Sequence, residues 1–318
     1  MTKYLFFIAS FILNLSLVSQ QQLIDVYCYD DSCSHTVIDP EMLIVERWDT
    51  LAQSRFWKTV MNLSGDTCIV NNADTRQILG YVAKDKWFDQ NETQKKSYKD
   101  SVISYNCLDS NTRIYITSGK KDFYLIEKVI PTISKAINVF QENNVDPWFA
   151  QSILLIESPA QLNYSSVGAY GPFQLMNSVA RKMGLTVNKY TDERKDFDKS
   201  AFAASQLLKT TCIPQAYRIL CEVGDIEPSG NELWFKFLVL HIYHAGARNV
   251  ESLLSQLEEP LEGMDLIRWM WTNEYGNFKN ASQNYSQVAI AAMLTLQDIV
   301  LEDCDYIFEC NSNYSSNY

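Results

Sequence analysis

Glu157 closes a run of apolar residues that includes Phe149, Ala150, Ile153, Leu154, Leu155 and Ile156. A carboxylate in that position is costly to keep ionised, because burial disfavours the charged form. If the run is helical, its last carbonyls add partial negative charge and push the carboxyl in the same direction. A carboxyl held protonated near neutral pH is what a general acid requires. Small residues follow: Ser165, Gly168, Ala169 and Gly171 allow a backbone to come close to a ligand. Gln174 then offers an amide where a new helix is expected to begin. Acid, small-residue loop and amide together suit protonation of a glycosidic oxygen.

The same residues read in order resemble a known family. Glu157-Ser158, Ser165-x-x-Gly168-Ala169-x-Gly171, Gln174-Leu175-Met176 and Ala180-x-x-x-Gly184-Leu185 are similar to the catalytic core of lytic transglycosylases. These are glycoside hydrolase family 23 enzymes with a goose-type-lysozyme-like fold, also called the SLT domain. Asp192-Glu193-Arg194-x-Asp196, with Ser200, Ala203, Ala204 and Leu208, is similar to the membrane-bound D-type murein branch. Tyr243-His244-Ala245-Gly246 resembles the family's Tyr-Asn-Ala-Gly motif, with His244 in place of asparagine. Tyr285 stands where that branch carries a further substrate-contacting tyrosine. The resemblance covers roughly residues 120 to 300.

The resemblance implies an all-α, lysozyme-like fold and a substrate, peptidoglycan glycan strands. It implies that Glu157 protonates the oxygen between N-acetylmuramic acid and N-acetylglucosamine, then takes the proton of the muramyl C6 hydroxyl as a 1,6-anhydro ring closes. Ser165, Gly168, Ala169, Gly171, Gln174, Met176, Tyr243 and Tyr285 are implied to contact substrate, and the Tyr243 hydroxyl to face Glu157. No cofactor or metal is required. Two other outcomes share the scaffold, a hydrolytic muramidase and a wall-binding protein without activity. A secreted, disulfide-rich interaction module is a third reading, in which the helical core is incidental.

Other side chains compete for roles. Asp192, Arg194 and Asp196 read as caps and ion pairs that fix a loop. Tyr170, Phe173 and Tyr285 offer rings for stacking on sugars, although Phe173 equally suits a core. His241-x-x-His244 lacks an acidic third ligand nearby, so a zinc site is disfavoured.

The composition sets the setting. With 318 residues, 47% hydrophobic and 13% aromatic, the chain can bury a sizeable core. Lys3, the apolar stretch from Tyr4 to Leu17 and small residues near Ser19 form the layout of a secretory leader, too short to favour a membrane span. An exported protein, periplasmic or secreted, is the expectation, with no stable span after leader removal. Eight cysteines beyond the leader (28, 33, 68, 107, 212, 221, 304 and 310) are consistent with disulfides. The pairs 28/33, 212/221 and 304/310 are close enough for local loops. The net charge of −11 and the absence of a basic stripe argue against nucleic acid binding.

These residues need elements to hold them. Ile126, Ile130, Ile133, Ile137 and Phe140 recur at helical spacing, with Pro131 expected to kink or divide the helix. Asp146-Pro147 predicts the start of the helix that ends at Glu157. Ser229 and Glu232 form a capping-box pattern before Leu233–Ala245, a helix apolar on nearly every side, and Gly246 terminates it. Tyr285 to Val300 predicts a last amphipathic helix. Upstream, Met42–Leu63 reads as helical and Arg113–Thr117 as a short strand. The expected division is a leader at 1–19, a mostly helical accessory region at 20–119, a lysozyme-like domain at 120–303 and a tail at 304–318.

Overall fold

The computed structural model describes residues 23–27, 34–157, 165 and 168–312, with the backbone alone for 27 and 302–312. The expected leader, Ser158, Cys28 and Cys33 lie outside the described residues, as do the side chains of Cys304 and Cys310. Helices dominate, as expected of a lysozyme-like fold.

The accessory region combines helices with two small sheets. Strands β1 (Leu23–Tyr27) and β2 (Ser34–Ile38) pair antiparallel, Leu23 opposite Ile38. The predicted helix over Met42–Leu63 is in fact three pieces: α1 (Glu41–Val45), a 3-10 turn Trp48–Thr50, and α2 (Ala52–Asn62). Arg47 at φ +65° breaks the run, and a left-handed residue cannot continue an α-helix. In the second sheet β3 (Thr67–Asn72) is central, between β4 (Ile78–Ala83) and the strand expected near Arg113, β5 (Ile114–Ser118). Ile69 faces Tyr81 on one side and Thr117 on the other. Helices α3 (Lys84–Phe88) and α4 (Glu92–Tyr105) lie between β4 and β5 in sequence. A reciprocal Asn91/Gln94 capping box starts α4.

From residue 126 the helices follow their signals closely. Pro131 lies inside a single helix, α5 (Ile126–Glu142), so the expected division does not occur. Its missing N–H costs only the one bond to the Glu127 carbonyl in the first turn, and the helix continues on either side. Asp146 caps α6 (Trp148–Glu157) by accepting the Trp148 amide at 2.8 Å. Beyond it come α7 (Asn177–Lys182), a 3-10 turn Glu193–Lys195, and α8 (Phe197–Leu207). A π-turn, Leu208–Cys212, leads into α9 (Ile213–Gly224). Glu232 accepts the Ser229 amide at 2.7 Å, half of the expected box, ahead of α10 (Leu233–Ala245). Helices α11 (Ala247–Leu254), α12 (Gly263–Thr272) and α13 (Asn280–Ser312) complete the chain. Every residue of α10 from Leu233 to Ile242 is buried, so this helix is the axis of the core.

One continuous core joins the two regions. Val37, Ile38, Trp48, Phe56 and Trp57 pack in the same cluster as α5, α6, α10 and α13. The Trp48 ring meets Phe237 edge-on at 4.9 Å. Polar ties reinforce this at two helices that matter below. The buried Gln151 amide of α6 accepts from Ile38 N and donates to Ile38 O, both at 2.8 Å. Arg76, in the turn before β4, donates to Asn284 at 2.8 Å and Asn280 at 3.1 Å on α13. No helix among the described residues is long and apolar enough to cross a membrane.

The four cysteines with described side chains, Cys68, Cys107, Cys212 and Cys221, are free thiols. The local loop expected from Cys212 and Cys221 therefore does not form. They are nine residues apart on a helical path, and Cys212 is buried while Cys221 is exposed. That spacing puts them two and a half turns apart, well beyond disulfide reach.

Candidate active site

Glu157 is the last residue of α6, and its carboxyl opens into a cleft of about 180 Å³. Ser165, Ala169, Gln174, Leu175, Met176, Val179, Leu207, Tyr243 and His244 complete the lining. Burial among these side chains raises the Glu157 pKa from its ordinary 4.5 to about 7. The Tyr285 hydroxyl opposes this slightly, being near enough to favour the ionised form. It is not in regular hydrogen-bond geometry, and it is buried with no other partner among the described residues.

The loop below the cleft is built from short-range bonds. Ser165 Oγ accepts the Ala169 amide at 2.8 Å, and Ser165 N donates to Ala169 O at 2.9 Å. Tyr170 and Leu175 pair through both backbone groups, closing a tight turn over residues 171–174. Gly168 and Gly171 adopt φ values of +88° and +85°, which L side chains avoid. Gln174, at φ +45°, folds its amide back onto the Gly171 carbonyl at 3.0 Å.

Arg194 holds this loop from behind. Its Nη1 donates to Gly168 O at 2.9 Å and Leu175 O at 2.8 Å, while Nε and Nη2 grip the Asp192 carboxylate at 2.9 and 2.7 Å. The guanidinium is buried and also lies over the Tyr170 ring at 5.4 Å. The charged cluster is thus a clamp on the loop, as its position before α8 suggested; Asp196 caps α8 through Lys199 N at 3.1 Å.

The residues expected to contact substrate divide in two. Glu157, Ser165, Ala169, Gln174, Met176 and Tyr243 come together on the cleft wall. Gly168 and Gly171 shape the loop without lining the cleft. Tyr285 sits behind the wall, with one ring face covered by His244 at 4.3 Å and 22°. That face is closed to a sugar. Phe173 is likewise unavailable: it is fully buried and stacks on Phe140 at 5.7 Å. The Tyr243 hydroxyl donates to Phe173 O at 2.7 Å, although the nearby Glu157 charge raises its pKa after burial has done so.

One contributor was not foreseen in the sequence. Tyr124, on the turn before α5, is close enough to Glu157 for the carboxylate charge to push its pKa further up, after burial. His244 lines the cleft itself. His241 takes no part, being fully buried with its Nε2 2.8 Å from Ser286 Oγ, and burial lowers its pKa to about 3. Among the described residues no group of three His, Cys, Asp or Glu could hold a metal ion.

A helix-end carboxyl of raised pKa, a glycine-bearing loop and a tyrosine on one cleft invite comparison with known families. Residues 135–256 match the transglycosylase SLT domain. The match runs from within α5 to just past α11, and so holds Glu157, the clamped loop, Tyr243 and His244. It supports a place in the lytic-transglycosylase and lysozyme-like family, whose members are lyases acting on peptidoglycan. No curated protein matches the chain. The SLT match leaves outside it both Tyr124 and Tyr285, which bear on Glu157 from the flanking regions.

Proposed function

We propose that this protein is an exported lytic transglycosylase that cleaves peptidoglycan between N-acetylmuramic acid and N-acetylglucosamine, of the membrane-bound D-type kind. Glu157 gives its proton to the bridging oxygen as the bond from that oxygen to the muramyl anomeric carbon breaks. The muramyl acetamido oxygen stabilises the positive carbon. The Glu157 carboxylate then accepts the proton of the C6 hydroxyl, and O6 bonds to the anomeric carbon, giving a 1,6-anhydro end without water. One carboxyl serves as acid and then as base, so the proton is returned to its starting place.

The observation that carries this reading is the Glu157 carboxyl itself, held near neutral acidity on a cleft whose other walls are the loop and Tyr243. No second carboxylate lines that cleft among the described residues. The SLT match supports the activity in general. The test is digestion of purified sacculi by the full chain, with products weighed by mass spectrometry. Anhydro-muropeptides are expected. Products heavier by one water would instead establish a hydrolase.

A further inference from the structure

His244, next to last in the apolar helix α10, lines the same cleft as Ser165 and Gln174. Its plane is fixed. The imidazole lies nearly parallel on the Tyr285 ring, 4.3 Å between centroids, and Tyr285 is itself 4% exposed and cannot turn away. Other polar groups of the wall already have partners: the Tyr243 hydroxyl donates to Phe173 O, Ser165 Oγ accepts Ala169 N, and the Gln174 amide donates to Gly171 O. The imidazole stacks on Tyr285 and has no hydrogen-bond partner among the described residues. Partial burial lowers its pKa, so it is neutral at neutral pH, with one nitrogen a donor and the other an acceptor.

We propose that His244 is a specificity-determining residue, whose ring edge hydrogen-bonds the acetamido group of an N-acetylated sugar lying against Glu157. An acetamido group offers a carbonyl acceptor on one side and an N–H donor on the other, either of which one imidazole nitrogen can meet. Tyr285 acts as the backing that sets the angle of the ring. This rests on the glycan reading of the cleft given above.

The test uses the full chain carrying Glu157→Gln, which prevents turnover, and calorimetric titration with a tetramer of N-acetylglucosamine. His244→Phe keeps a flat ring for Tyr285 but removes both nitrogens; His244→Asn keeps hydrogen bonding but loses the ring. The Phe variant should bind roughly three- to tenfold more weakly, the range one neutral hydrogen bond supplies. The Asn variant should stay within about threefold of the parent. The deacetylated tetramer should bind the parent more weakly and be indifferent to His244→Phe, as an additive cycle requires. Equal binding of the acetylated tetramer by the parent and the Phe variant would overturn the assignment of His244 alone. Failure of the parent to bind it at all would overturn the glycan reading together with this proposal.

Discussion

A Cβ placed on Gly171 would stand 2.0 Å from the carbonyl oxygen of Arg194. The obstacle is backbone, and Gly171 also has φ +85°, so neither side can yield cheaply. The clamp and the glycine are therefore one device, in which the Arg194 backbone occupies the space that its side chain helps to define. Gly171→Ala should cost at least about 2 kcal/mol in urea unfolding and distort the cleft loop, with activity on sacculi falling further than stability does. Wild-type behaviour in both assays would show that the loop tolerates movement.

Arg194→Lys should not be conservative. Lysine cannot reproduce a two-pronged grip on Asp192 together with bonds to Gly168 O and Leu175 O. Loss of part of this buried network is expected to cost about 3 kcal/mol, measured by chemical denaturation. A change below about 0.5 kcal/mol would mean that the loop holds its shape without the clamp.

Much of the site's framework can be read locally. The apolar run to Glu157, the Asp146 cap and Gly246 are short-range signals, and each helix that they announce is present. Arg47 is different: nothing in the apolar spacing of Met42–Leu63 signals its left-handed turn. The distant pairings are hidden for a related reason. Gln151 bonds Ile38 and Arg76 bonds Asn284 across more than a hundred residues, and no periodicity encodes which partner a polar side chain finds. Tyr285 shows a partial success, since its place on the apolar face of α13 was legible but the imidazole covering its ring was not. Tyr124 lies on an irregular turn with no pattern around it.

Gln151 offers a test of how far the accessory region positions the acid. Gln151→Met would leave the Ile38 N–H and C=O buried without partners, at a cost of about 2–4 kcal/mol. Thermal unfolding of the full chain should show one transition, shifted down, because both regions share a core. Two separate transitions would contradict that coupling.

The raised pKa of Glu157 also bears on stability. The folded-state value is about 7 and the ordinary value 4.5, so the folded protein binds the extra proton between these limits. Stability at this group is therefore unaffected below pH 4.5, declines as pH rises toward 7, and stays lowered above it. Glu157→Gln removes the decline. Allowing for partial exposure to solvent, the variant should be more stable than wild type by about 1–3 kcal/mol at pH 8 and equal at pH 4. Equal stability at both pH values would mean an ordinary, solvated carboxyl.

The same value sets an expectation for rate. With Glu157 as the acid, kcat/KM should fall about tenfold per pH unit above pH 7. Tyr285→Phe removes a hydroxyl that favours the ionised carboxyl, so the alkaline limb should move to higher pH. An unmoved limb would separate Tyr285 from the acid.

Glu157 itself is best examined by incubating sacculi with equal amounts of folded wild-type and Glu157→Gln protein and counting anhydro-muropeptide ends by mass spectrometry. The wild type should release them and the variant should release none above the enzyme-free control. Release at the wild-type rate by the variant would contradict the assignment of both proton transfers to this one side chain.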